Sequence, residues 1–234
     1  MRLDVRVTVH DVAARLPAIP VLRDHCRALA MLEAILSPDW EDRYHSFDAH
    51  WSDAEEMASM RNGSGDEYSI VFSAAGAFVR GFAHESLMSP YACHDRTLPW
   101  PGVLDDVPEV FRACVEEPAF SDEDGTPVVT ACLWRTASDD VWRCGSSVVF
   151  PEEGDLDDDP DGASYLFQLL VDRSAEAFRA FAEDYYKVAV DLAAVRHVQG
   201  LRPLTQQVVT ALNPDLELAD LAGEIAAIGY PQAD

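Results

Sequence analysis

Basic side chains are what this chain has least of. Seventeen lysines and arginines stand against 42 aspartates and glutamates, and Lys187 is the single lysine. The formal charge is therefore −25. Binding to phosphate depends on a basic patch that releases counterions, so nucleic acid is not an expected partner. Anionic membrane surfaces are disfavoured for the same reason. No apolar run approaches eighteen residues, which leaves no candidate for a membrane span. The opening Met1-Arg2-Leu3-Asp4-Val5-Arg6 lacks an apolar stretch with a cleavage site, so no secretory signal is expected. The five cysteines (Cys26, Cys93, Cys114, Cys132, Cys144) are odd in number, widely spaced and form no Cys-x-x-Cys. Reduced thiols in a cytoplasm are the expectation, with Cys26 and Cys132 acting as small core hydrophobes.

Hydrophobic residues make up 48% of the 234, which excludes global disorder. A chain of this length can bury roughly 70% of its unfolded surface without staples. Leu22, Cys26, Leu29, Leu32 and Leu36 recur at helical spacing between Pro20 and Ser37, and Ser37-Pro38 ends the run. Tyr68, Ile70 and Phe72, then Phe78, Arg80 and Phe82, alternate on either side of Ser73-Ala74-Ala75-Gly76 and predict a hairpin. Further strands are expected at Tyr44–Asp48, Met57–Arg61, Pro127–Thr136 and Val141–Arg143, the last extending toward Phe150. Residues 84–125 are punctuated by prolines and read as a long connection holding one short helix near 107–115. Helices are expected at 175–190, 205–212 and 218–228. The expected fold is α+β: a mostly antiparallel sheet of about six strands flanked by N-terminal and C-terminal helices. It is read as a single domain, 1–234: a helical segment 1–40, a sheet core 41–150, an acidic loop 151–163 and a helical segment 164–234.

Motifs that carry chemistry are sparse. Asp157-Asp158-Asp159-Pro160-Asp161-Gly162 matches the opening of a calcium loop, with Asp157, Asp159 and Asp161 as the metal ligands. The twelfth position is Gln168 rather than a bidentate glutamate, and a solvated acidic loop is the competing account. Arg61-Asn62-Gly63-Ser64-Gly65 lacks the lysine of a phosphate loop and reads as a turn. His84-Glu85-Ser86 and Cys93-His94-Asp95 contain catalytic residue types, but neighbouring residues rarely converge on one substrate. His45, Asp48 and His50 are zinc-binding types that an extended segment does not bring together. No catalytic residue and no cofactor is assigned.

Leu16–Trp40, Glu56–Phe72, Val128–Arg135 and Leu201–Pro214 together resemble a family of uncharacterised proteins of high-GC Gram-positive bacteria. Abundant arginine and alanine beside one lysine suit such a genome. The resemblance carries no activity, cofactor or site residue. In its acidity and mixed composition the chain is also similar to bacterial immunity proteins, by analogy of character rather than by a shared motif. The expectation is a non-enzymatic, cytoplasmic interaction protein that binds a basic protein partner. Its face would be built from the 105–124 connection and the 152–161 tract, with Trp100 and Phe120 as anchors and Asp122, Asp124, Glu152 and Asp158 as charges. An enzyme or small-ligand site beside the sheet, lined by Arg61, His84 and Glu85, is the alternative, and calcium binding is the third reading.

Overall fold

The computed structural model describes residues 7–92, 98–151 and 159–232. Its helices are α1 (Val9–Arg15), α2 (Ile19–Leu36), α3 (Arg112–Val115), α4 (Ala163–Leu166), α5 (Gln168–Val171), α6 (Ala175–Tyr186), α7 (Leu192–Gln199), α8 (Gln206–Leu212) and α9 (Ala222–Ile228). Its strands are β1 (His45–Asp48), β2 (Glu56–Arg61), β3 (Glu67–Ser73), β4 (Gly76–Phe82), β5 (Ala131–Thr136) and β6 (Arg143–Cys144). They form one antiparallel six-stranded sheet in the order β1-β2-β3-β4-β5-β6, so the fold is α+β with helices flanking a sheet. Two compact units share the chain, each from separated stretches: Met1–Ile19 with Arg61–Val171, and Pro20–Met60 with Asp172–Asp234.

In the first unit the alternation of β3 and β4 closes into the expected hairpin, with Tyr68 opposite Gly81, Ile70 opposite Val79 and Phe72 opposite Ala77. Every residue of β4 is buried, so both sheet faces are covered here. Phe78 stands opposite Trp134 of β5, and both join Met88, Val103, Phe111, Val129 and Cys132 in one apolar cluster. That cluster is roofed by the proline-punctuated connection itself. On the other face Gly81 lies under α4 and α5: a Cβ there would come within 2.7 Å of the Phe167 ring. The expected helix near 107–115 is a 3-10 turn at Glu109–Phe111 followed by the single α-turn α3. The expected extension of the last strand toward Phe150 does not form. Only Arg143 and Cys144 pair with β5; the chain then turns to Gly145, which lies so close to the Gly102 carbonyl that a Cβ would come within 1.9 Å of it.

In the second unit α2 is long, strongly apolar and nearly all buried from Ala28 to Ile35. The one polar residue in that stretch, Glu33, is 0% exposed. Its carboxyl accepts from the Tyr44 N–H at 3.2 Å, from His45 Nδ1 at 3.0 Å and from the Tyr186 hydroxyl. One acid thus ties α2 to β1 and α6, as a buried polar group must be tied to persist. Beside this tie Tyr44 meets Phe181 and Tyr185 edge-on and those two rings stack on each other, with centroids 4.7 to 5.6 Å apart. Burial, then the neighbouring Glu33 carboxyl, raise the Tyr186 hydroxyl well above its ordinary range.

Candidate functional site

Between Pro101 and Gly125 the sequence has eight carboxylates and one cation, Arg112. The structure shows why so charged a stretch is ordered. Its apolar residues are spaced to point inward: Val103, Phe111 and Phe120 are buried, and Leu104 and Val115 pack against the sheet cluster. Side-chain acceptors close its turns. Glu117 takes the Ala119 N–H at 3.2 Å and caps the 3-10 turn Pro118–Phe120. Asp122 takes the N–H groups of Asp124 and Thr126 at 3.0 and 2.8 Å, an Asx turn. Asp106 takes both the N–H and the hydroxyl of Ser146, at 2.8 and 2.6 Å, and these bonds hold its carboxyl below the usual range. Outward stand Asp105, Asp106, Glu109, Glu116, Glu123 and Asp124, all exposed. Arg112 is held by Glu109 and Glu116 on either side.

Under this segment lies Arg80 of β4, opposite Cys132 and only 4% exposed. Its guanidinium donates to the Val128 carbonyl at 2.6 Å, pairs with Glu67, and sits 5.0 Å from the centre of the Phe120 ring. Tyr91 packs edge-on against Phe82, whose strand partner is Glu67. Tyr91 is exposed, and its hydroxyl is pushed up by burial and by Asp122 and Glu67, with Arg80 opposing. Aromatic and acidic groups therefore meet at the end of the acidic segment.

The sequence-derived anchors divide. Trp100 is half-buried and donates its indole N–H to the Val149 carbonyl at 2.9 Å. Phe120 does not reach the surface: it is buried as the ring that covers Arg80. Asp122 is half-buried in its turn and Asp124 is exposed. Glu152 and Asp158 lie outside the described residues. Tyr91 and Val110, both exposed beside acids, escaped the sequence reading because no periodicity marks them.

Of the calcium-loop residues, Asp157 also lies outside the described residues. Asp159 accepts the N–H groups of Ser164 and Tyr165, both at 2.9 Å. Asp161 is 0% exposed and accepts from Val9 and Ala163 at 2.9 and 3.1 Å. Both carboxyls face N–H donors that start helices, which is the opposite of a cation's demand. Gly162 supplies the bend with φ of +74°, and its missing Cβ makes room for Ala83. No group of three or more His, Cys, Asp or Glu side chains among the described residues is placed to hold a metal.

Other clusters have structural employment. His84 Nδ1 is 2.8 Å from Asp66, which also accepts the His84 N–H and the Asn62 amide. His84 Nε2 is 3.9 Å from Glu85, and Arg61 is exposed at the end of β2. Two small recesses of this unit, one beside Val9, Met88 and Thr130 and one beside Phe78, Arg80 and Phe120, are lined by other residues than Arg61, His84 and Glu85. Ser86 is buried and gives its hydroxyl to the Pro160 carbonyl at 2.6 Å. His45 is buried on Glu33, whereas Asp48 accepts the His50 N–H at 2.7 Å. Cys93, His94 and Asp95 lie outside the described residues. One pair was not foreseen: Cys144 Sγ lies 3.1 Å from His10 Nδ1. Burial, with the Asp161 charge adding to it, pushes that thiol up to about 11, so it is a neutral thiol rather than a ready nucleophile.

Among the described residues no helix is long and apolar enough to cross a membrane. No family model, curated protein or solved structure matches the chain.

Proposed function

We propose that this chain is a non-enzymatic interaction protein whose acidic segment, residues 101–125, docks a basic protein partner in the cytoplasm. The observation that carries the reading is the anchoring of that segment. Eight carboxylates and one twice-paired arginine are fastened to the sheet by Val103, Phe111 and Phe120. A fixed array of one sign gives a directed field, whereas the same charges on a floppy tail would average out. Such a field raises association rates with an oppositely charged face, and salt weakens it. The exposed Tyr91 and Val110 supply apolar contact within it. Inhibition of a basic toxin domain, as immunity proteins perform, is one concrete form. Nucleic acid and anionic membranes carry the wrong sign for this surface.

The test starts from a partner captured from the native cell and then measures its association rate by stopped flow. Between about 20 and 300 mM salt the rate should fall by at least roughly tenfold. Combining Glu116→Gln, Glu123→Gln and Asp124→Asn should slow association while leaving the fold intact, since all three side chains are exposed. A rate indifferent to both changes would remove the reading.

A further inference from the structure

Arg80 poses an unsolved hydrogen-bond problem. It is 4% exposed in the middle of a fully buried strand. One terminal nitrogen donates to the Val128 carbonyl and the other to Glu67. Its Nε is buried and finds no acceptor among the described residues. An unmade bond from a buried donor carries the full cost of taking that group out of water, and more so when the group is charged.

The same side chain lines a small recess with Phe78, Leu104, Cys114, Phe120 and Pro127. The recess has room for about one water-sized sphere. Three arguments select its occupant. Size excludes an organic ligand. Charge disfavours an anion, because Glu67 already balances the guanidinium and the chain around it is acidic. A dry recess would leave Nε unanswered. A neutral acceptor that can also donate meets all three conditions, and only a water is both that small and that versatile.

We propose that this recess is an ordered-water site: Arg80 Nε donates to one trapped water held beneath the acidic segment. The water then belongs to the seat on which the acidic segment rests, where Arg80 of β4 meets Leu104, Phe120 and Pro127. It goes beyond the docking proposal and stands without it, because it concerns the underside of the segment rather than its charged face.

The test uses the wild-type chain and two readouts. A crystal structure at about 1.5 Å should show a single round density peak about 2.9 Å from Arg80 Nε. In solution the Arg80 Hε resonance should exchange magnetisation with a long-lived water. A protein acceptor on Nε, a recess without density, or a bromide anomalous peak at Nε after a bromide soak would each overturn the proposal. None of these outcomes depends on finding a basic partner, so failure here and failure of the docking reading are separable.

Discussion

Asp161 offers the sharpest test of the packing in the first unit. Its carboxyl is 0% exposed, with Oδ2 accepting the Val9 N–H and Oδ1 the Ala163 N–H. Burial is the dominant influence; the two N–H bonds pull the other way and the nearby Asp159 adds to the burial effect, leaving the group at about 7 against an ordinary 3.8. The sign follows from proton counting. Between about pH 4 and 7 the unfolded chain has lost this proton while the folded chain keeps it. Folding therefore takes up a proton, and stability falls as pH rises through that window, levelling above about 7. The whole drop is roughly 4 kcal/mol, at 1.36 kcal/mol per pH unit. Asp161→Asn removes the charge and keeps one carbonyl acceptor, at a cost of about 1–2 kcal/mol for the Ala163 N–H left facing an amide nitrogen. The variant should be less stable than the wild type at pH 4, cross it near pH 5, and be more stable by about 2–3 kcal/mol at pH 8. Urea unfolding followed by tryptophan fluorescence at intermediate pH values measures the crossing. Repulsion among the remaining carboxylates is common to both proteins and cancels in the difference. A difference that stays constant with pH would refute the assignment of a buried, proton-holding Asp161.

Three further outcomes are expected. Glu33→Ala should destabilise the second unit by roughly 3–5 kcal/mol in the same unfolding assay, since it strands the Tyr44 N–H, His45 and Tyr186 donors inside; a loss below about 1 kcal/mol would mean the cluster is better hydrated than its burial indicates. Lys187 ends α6 in the left-handed region at φ 57°, with only an exposed pair to Asp184 to lose, so Lys187→Gly should raise stability by about 0.5–1 kcal/mol, read as a higher urea midpoint. Gly81→Ala should cost about 1–3 kcal/mol, because its new methyl would press on the Phe167 ring, and an unchanged melting temperature would show that α4 and α5 can yield.

The parts of the fold that were legible are those where one physical pattern dominates. Two-residue alternation marked β3 and β4, and helical spacing with a closing Ser37-Pro38 marked α2 to within a residue at each end. Helix α7 went unread, although Asp191 caps it by accepting the Ala194 N–H at 2.7 Å; its apolar stripe of Ala194, Val195 and Val198 is too short to stand out in an alanine-rich stretch. Phe120 looked like a surface anchor because it lies among acids. Its ring is claimed by Arg80, 40 positions earlier and hidden in a strand of apolar neighbours. Asp161 looked solvated for the same reason, while its partner Val9 is 152 residues away in sequence. Long-range pairing of this kind leaves no local trace.

A count of charge treats all 42 acids alike, and the structure does not. Glu33, Asp66, Asp159 and Asp161 turn their oxygens toward backbone N–H groups, and so act as helix starters, turn locks and buried ties. They would be present in a protein with no partner at all. Asp105, Glu116, Glu123 and Asp124 are different: they are exposed on a segment whose apolar side is fixed to the sheet. Neutralising a carboxyl of the first kind should change stability and leave association kinetics alone, whereas neutralising one of the second kind should do the reverse. That separation is what distinguishes a docking face from an acidic chain that is merely soluble, since in the latter the exposed acids would be interchangeable with any others on the surface.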